Sequence, residues 1–162
     1  MGTDLIVLPS SRQQLAGAAK RSRQLLQRRA LVSAGVALVP IPGIDIAADV
    51  SVLVNLVGRI NQEFGLSPRQ IERLDVNSKT ILYQVLMGFG GAMIGKAITR
   101  DIALRAWNLV GTRVTAARAS RYVPLAGQAL SAALSYTAMR YVGERHIKDC
   151  IRIVESMIEI TG

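Results

Sequence analysis

The residues GFGGAMIGKAITR, Gly88 to Arg100, come closer than any other stretch of this chain to a chemical motif. Read from Gly90, they spell G-x-x-x-x-G-K-A, one residue short of the phosphate-cradling loop of nucleotide triphosphatases. That loop needs a hydroxyl after the lysine to hold magnesium, and Ala97 has none. It also needs a buried strand leading in, whereas KTILYQVLM reads as helix. Packing accounts for the glycines instead: Gly88, Gly91 and Gly95 place small residues on a helix where a second helix can approach closely. His146 and Cys150 are each the sole residue of their type. One of each is too few for a zinc site, and nothing in the sequence pairs them as base and nucleophile. His146 sits in GERHIKD, which reads as a solvated helix face. Asp45 and Asp49, one turn apart at a helix start, complement the helix dipole and are too few for a cation site. No carboxylate pair lies in an apolar, turn-rich setting that would raise a pKa for acid–base work. The sequence therefore predicts no catalytic residue, no metal, no cofactor and no enzymatic activity.

Composition points elsewhere. Across 162 residues, half are apolar and 20 Lys and Arg stand against 11 Asp and Glu, for a net charge of +9. A chain this apolar and this basic suits a membrane surface better than nucleic acid, because the 4% of aromatic residues give few stacking platforms. The lone cysteine excludes a disulfide framework and suits a reducing compartment such as the cytoplasm. MGTDLIVLPSSR lacks the basic start and apolar length of a signal peptide, and Ile6 breaks the myristoylation pattern. Two long uncharged runs, Ala30–Ile44 and Thr80–Gly95, fall short of the roughly 18 residues of a simple spanning helix. They suit buried helices or a segment that dips into a bilayer.

The elements follow from periodicity and punctuation. Ser10 and Ser11, with Gln13 and Gln14 three residues on, predict a capped helix start. The helix to about residue 30 carries Arg12, Lys20, Arg21, Arg23, Arg28 and Arg29, with no acid between Asp4 and Asp45. Leu15, Ala18, Ala19, Leu25 and Leu26 form its apolar stripe. Residues 1–30 thus read as a basic amphipathic N-terminal helix and 31–162 as one helical domain. Pro40, Pro42 and Gly43 make a rigid hairpin turn before a second helix. In that helix Ile46, Val50, Leu53, Val54, Val57 and Phe64 share one face, and Ser51, Asn55, Arg59 and Gln62 the other. Gly65 is placed as its stop, and Ser67, Pro68 and Gln70 open a further helix. After a breaker at DVNSKT, with Asn77 or Ser78 as cap, a helix continues through the glycines, bent there or not. Pro124 and Gly127 punctuate the start of a long closing helix on which Ile147, Ile151, Val154 and Ile158 keep the stripe. With no strand-type alternation longer than DLIVL, the expected fold is all-α: a compact bundle of about six helices built from helical hairpins, without a nucleotide-binding domain.

The two punctuation points also carry a resemblance. VPIPGIDIAADVSVLVNLVGRINQEFGL followed by SPRQIERL resembles the C-terminal helical region of immunity-related (interferon-inducible) GTPases. It is similar as well to the helical domain attached to some bacterial Era-like GTPases and to EcsC-type membrane-associated proteins. ASRYVPLAGQALSAALSYTAMRYVGERHIKDCIRIVE resembles the closing helices of the same region. The likeness runs from Leu31 to Glu155 and implies a helical, membrane-associating module that in relatives follows a GTPase domain. These residues hold no phosphate loop, no guanine-reading Asn-Lys-x-Asp and no switch region, so the chain is not expected to be a GTPase by itself.

The resulting expectation is a non-enzymatic domain that binds or inserts into anionic membranes, peripheral or partly inserted. Lys20, Arg21, Arg23, Arg28 and Arg29 are the candidate contacts with lipid headgroups or a partner. Membrane disruption, a GTPase or other protein partner and a homo-oligomer stay open. The alternative is a soluble helical adaptor whose basic surface meets an acidic protein.

Overall fold

A computed structural model describes residues 7–36, 44–89, 93–95, 101–105 and 124–162. They are helical throughout apart from turns and short extended pieces, and the all-α expectation holds. The helices are α1 (Arg12–Val36), α2 (Ile44–Glu63), α3 (Pro68–Ile71), α4 (Val76–Phe89) and α5 (Pro124–Thr161), and residues 101–105 are helical too. Pro40, Pro42, Gly43 and Gly91 lie outside the described residues.

Local chemistry sets the helix ends. Gln14 Oε1 accepts from the Ser10 backbone N–H at 3.0 Å, while the Gln14 N–H donates to Ser11 Oγ at 3.3 Å. Both serines thus serve the start of α1, which satisfies donors that an uncapped first turn would leave open. α2 stops as expected at Gly65, whose φ of 71° is the left-handed conformation a glycine adopts without penalty. The Leu66 N–H reaches back to the Asn61 carbonyl and that of Gly65 to Gln62, the paired bonds of a Schellman stop. A Cβ on Gly65 would come within 2.6 Å of the Leu8 backbone, so this position also admits the incoming N-terminal segment. At α3, Gln70 accepts from the backbone N–H and the hydroxyl of Ser67, and its Nε2 donates to the Gln62 carbonyl at 3.0 Å. α4 is capped by Asp75, two residues before Asn77 and three before Ser78: the Ser78 N–H donates to Asp75 Oδ1 at 2.9 Å. Those bonds to Ser78 hold the Asp75 carboxyl below the usual carboxylate range.

Two further expectations are corrected. α1 runs unbroken through residue 30, because nothing between Arg12 and Val36 lacks an N–H or demands a left-handed φ. The helix after Asp75 ends at Phe89 instead of continuing, and a turn at 93–95 follows, with Gly95 at φ 70°.

The described residues fall into two compact units. One comprises residues up to 24, from 57 to 95 and from 145 onward. Its core joins Leu15, Ala18 and Ala19 of α1 to Val57 and Ile60 of α2, Phe64 just after it, Leu82 and Val85 of α4, and Ile147, Ile153, Val154 and Met157 of α5. The other comprises residues 25–56 and 101–144. Leu26 and Ala30, Val50, Leu53 and Leu56, Ala103, and Ala138, Met139 and Val142 make its core. Within it, the Ser33 and Ser135 hydroxyls share a buried hydrogen bond of 2.8 Å. Burial follows the expected face at Val50, Leu53 and Val57 of α2 and at Phe64 just after it, Val54 is half-buried, the Ile46 side chain lies outside the described residues, and Ser51, Asn55, Arg59 and Gln62 are exposed.

Candidate functional site

α1 presents two faces of opposite character. Leu15, Ala18, Ala19, Ser22, Leu26, Ala30 and Ser33 recur at three- and four-residue steps and are buried. Lys20, Gln24, Gln27 and Leu31 form the row opposite, all exposed, with Arg23 and Arg28 exposed beside it. Side chains stepped this way line one side of a helix at about 1.5 Å of rise per residue. The apolar stripe that made the helix look amphipathic is therefore protein core, and what α1 offers outward is its basic side.

The five candidate residues are not equivalent there. Arg21 is exposed, but its Nε lies 2.6 Å from Glu63 Oε2, so its charge is met within the fold. Arg29 is half-buried. Lys20, Arg23 and Arg28 are exposed, and at the N-terminal end the exposed Arg12 lies 3.8 Å from Glu159. No acidic residue lies on α1 itself. A basic side chain near a negative surface contributes about 1 kcal/mol.

The glycines behave differently from their reading in the sequence. Gly88 sits on the exposed side of α4, and a Cβ there would meet nothing within 4 Å. Gly95 lies in the turn after α4, where its positive φ and a 3.0 Å approach to Ile71 Cδ1 explain it. Neither seats a neighbouring helix. That role falls to Gly143 of α5, where an added Cβ would stand 2.9 Å from Leu26 Cδ2 and closer still to Cδ1. Gly127 is likewise no turn residue: Pro124 opens α5, where its missing N–H costs nothing, and Gly127 lies inside the helix.

A second constellation is buried, against the solvated helix face expected for His146. His146 is not on a solvated face but 1% exposed, one helical turn from the fully buried Cys150, and both face Asn61 of α2. Asn61 Nδ2 donates to the Met93 carbonyl at 2.9 Å, which turns Oδ1 toward His146 Nε2 at 2.8 Å. Oδ1 carries no proton, so Nε2 must donate. Cys150 Sγ lies 3.8 Å from the same oxygen and 3.7 Å from Nε2. With Nε2 protonated, the imidazole cannot take the thiol proton there, and the S–H turns to Asn61. Burial lowers the His146 pKa to about 4 and pushes the Cys150 thiol far above its ordinary value, with Asp149 adding to the latter. At neutral pH both groups are uncharged. A cysteine, a histidine and an asparagine have been gathered as in a thiol hydrolase, but the thiolate on which that chemistry depends is suppressed. The signal was present in the sequence: Val142, His146, Cys150, Ile153 and Met157 step along one helix face, and all are buried.

Among the described residues no three His, Cys, Asp or Glu side chains are grouped to hold a metal ion, and no helix is long and apolar enough to cross a membrane. None of the known protein families, curated proteins or solved structures compared with the chain matches it.

Proposed function

We propose that this chain is a non-enzymatic helical module that docks on anionic membrane surfaces through the outer side of α1. The observation that carries the reading is the exposed side of that helix: Lys20 lies on its outer row and Arg23 and Arg28 are exposed on the two flanks of that row, while the apolar stripe is occupied by the protein's own core. A helix held this way contacts headgroups without sinking its apolar face, so the mode is peripheral and electrostatic. Exposed Leu31 continues the row and adds a modest apolar contact. The resemblance of Leu31–Glu155 to GTPase-attached and EcsC-type helical regions supports the same reading.

Liposome flotation at low salt tests it. The protein floats with vesicles containing about one third phosphatidylserine, not with neutral phosphatidylcholine, and is released as salt shortens the Debye length from about 10 Å at 0.1 M to about 3 Å at 1 M. A triple variant, Lys20→Glu with Arg23→Glu and Arg28→Glu, keeps its helical circular dichroism and stays at the bottom of the gradient. Wild-type protein that ignores anionic vesicles at low salt refutes the proposal. Retention through high salt and alkaline carbonate refutes the peripheral mode.

A further inference from the structure

α4 is the described helix whose exposed side bears no charge. Val76, Asn77, Thr80, Tyr83, Gln84, Met87 and Gly88 face outward, and Lys79, the helix's sole ionisable cation, is half-buried on the flank. Val76 is 81% exposed, Met87 83% and Tyr83 56%, large fractions for side chains of their apolar area. Together with Thr80 they follow the 4-3-4 step of a coiled-coil seam. The spacing is also palindromic. Turned end for end about a point between Ile81 and Leu82, the row superposes Val76 on Met87 and Thr80 on Tyr83. Its two ends differ in sign. The exposed carboxylate of Asp75 caps the N-terminal end, and the Arg152 guanidinium, 3.8 Å from Asp149 of its own chain, lies 5.7 Å from the ring centre of Phe89 at the other.

We propose that the outer side of α4 is a self-association surface on which two copies of this chain pair antiparallel about a two-fold axis. In that arrangement Val76 of each copy packs on Met87 of the other, and Tyr83 on Thr80. Asp75 of each is carried toward Arg152 of the other. Gly88, with nothing within 4 Å of an added Cβ, leaves room beside Met87 for the approaching helix. The occupant follows from charge. At +9, copies meeting through α1 would set like charges against each other, whereas the outer side of α4 brings none together. An anionic lipid surface would repel Asp75 and has no use for the palindromic spacing. A self-complementary patch is also what closed two-fold symmetry requires. A 14-residue helix is about 21 Å long and presents a strip roughly 10 Å wide, near 200 Å² per copy. That is small beside the roughly 800 Å² per partner of a stable complex, so the pair is weak and populated only at roughly 0.1–1 mM.

Sedimentation equilibrium on the full chain tests this, with melting temperature recorded for every variant. Wild-type weight-average mass rises from monomer toward dimer across that concentration range. Val76→Glu and Met87→Lys each weaken association at least fivefold, with melting unchanged at such exposed positions. Combined in one chain they restore it, because the antiparallel axis sets the new carboxylate of one copy against the new amine of the other. A parallel pair would set like against like and would not recover. A chain that stays monomeric at about 0.5 mM overturns the proposal, as do single variants without effect or a double variant no better than the singles. Val76→Glu that abolishes binding to anionic vesicles, with the wild type monomeric, also overturns it, in favour of a lipid occupant. The α1 triple variant leaves self-association intact, which separates this test from that of membrane docking.

Discussion

His146 should make the protein's stability depend on pH between 6.5 and 4. Its imidazole is buried and neutral, donating from Nε2 to Asn61 Oδ1, with a pKa lowered by desolvation from 6.5 to about 4. Below pH 6.5 the unfolded chain takes up a proton on this residue while the folded chain does not, so protonation favours unfolding. The stabilisation is complete above pH 6.5 and lost as pH falls toward 4. At about 1.36 kcal/mol per pH unit, the displacement corresponds to about 3 kcal/mol, a large part of a small domain's stability. His146→Gln removes the titration while keeping an N–H able to reach Asn61. The assay is urea unfolding at half-unit steps from pH 7 to pH 4, for wild type and variant. At pH 7 the variant is the less stable, by about 1–2 kcal/mol for imperfect packing. By pH 4 the wild type should have lost about 3 kcal/mol more than the variant, so the order reverses. Carboxylates titrate in both and cancel in the difference. Since the sequence holds a single histidine, its ring resonances can be followed by NMR without ambiguity and should stay neutral at pH 5. Parallel loss of stability in the two proteins, or a ring that titrates near 6.5, refutes the burial argument.

Two further outcomes follow from the same packing. Cys150, buried with its thiolate suppressed, should react with 5,5′-dithiobis(2-nitrobenzoate) at pH 8 at least about 100-fold more slowly in the folded protein than in denaturant, and a comparable native rate would place it at the surface. Gly143→Ala should cost about 1–3 kcal/mol by thermal or urea unfolding, because the new methyl meets the buried Leu26 side chain. Combined with Leu26→Ala, the loss should be smaller than the sum of the singles by about 1 kcal/mol or more, and strict additivity would contradict the close approach.

Features that depend on near neighbours were legible in the sequence. Ser67 with Gln70, Gly65 as the stop of α2 and Pro124 as the opening of α5 all act within a few residues, through one hydrogen bond or one dihedral angle. Periodicity likewise gave the buried side of α2, since a helix face is fixed by a 3.6-residue repeat. The basic row of α1 could be counted from the sequence, but the pairing of Arg21 with Glu63, 42 positions away, could not.

What only tertiary structure decided is which side of each helix meets another. The charged neighbours of His146 made its segment look solvated, yet Arg145 and Lys148 point outward while His146 turns to Asn61, 85 residues away in sequence. Among the described residues, the glycine that admits a second helix is Gly143, lodged against Leu26, and not Gly88 or Gly95, because a small residue gains a packing role only where a neighbour arrives. Composition fixed the charge and the apolar fraction of this protein. Long-range packing fixed which apolar stripe became core, on α1, and which stayed outside, on α4, since burial is a property of pairs of surfaces and a sequence specifies its surfaces one at a time.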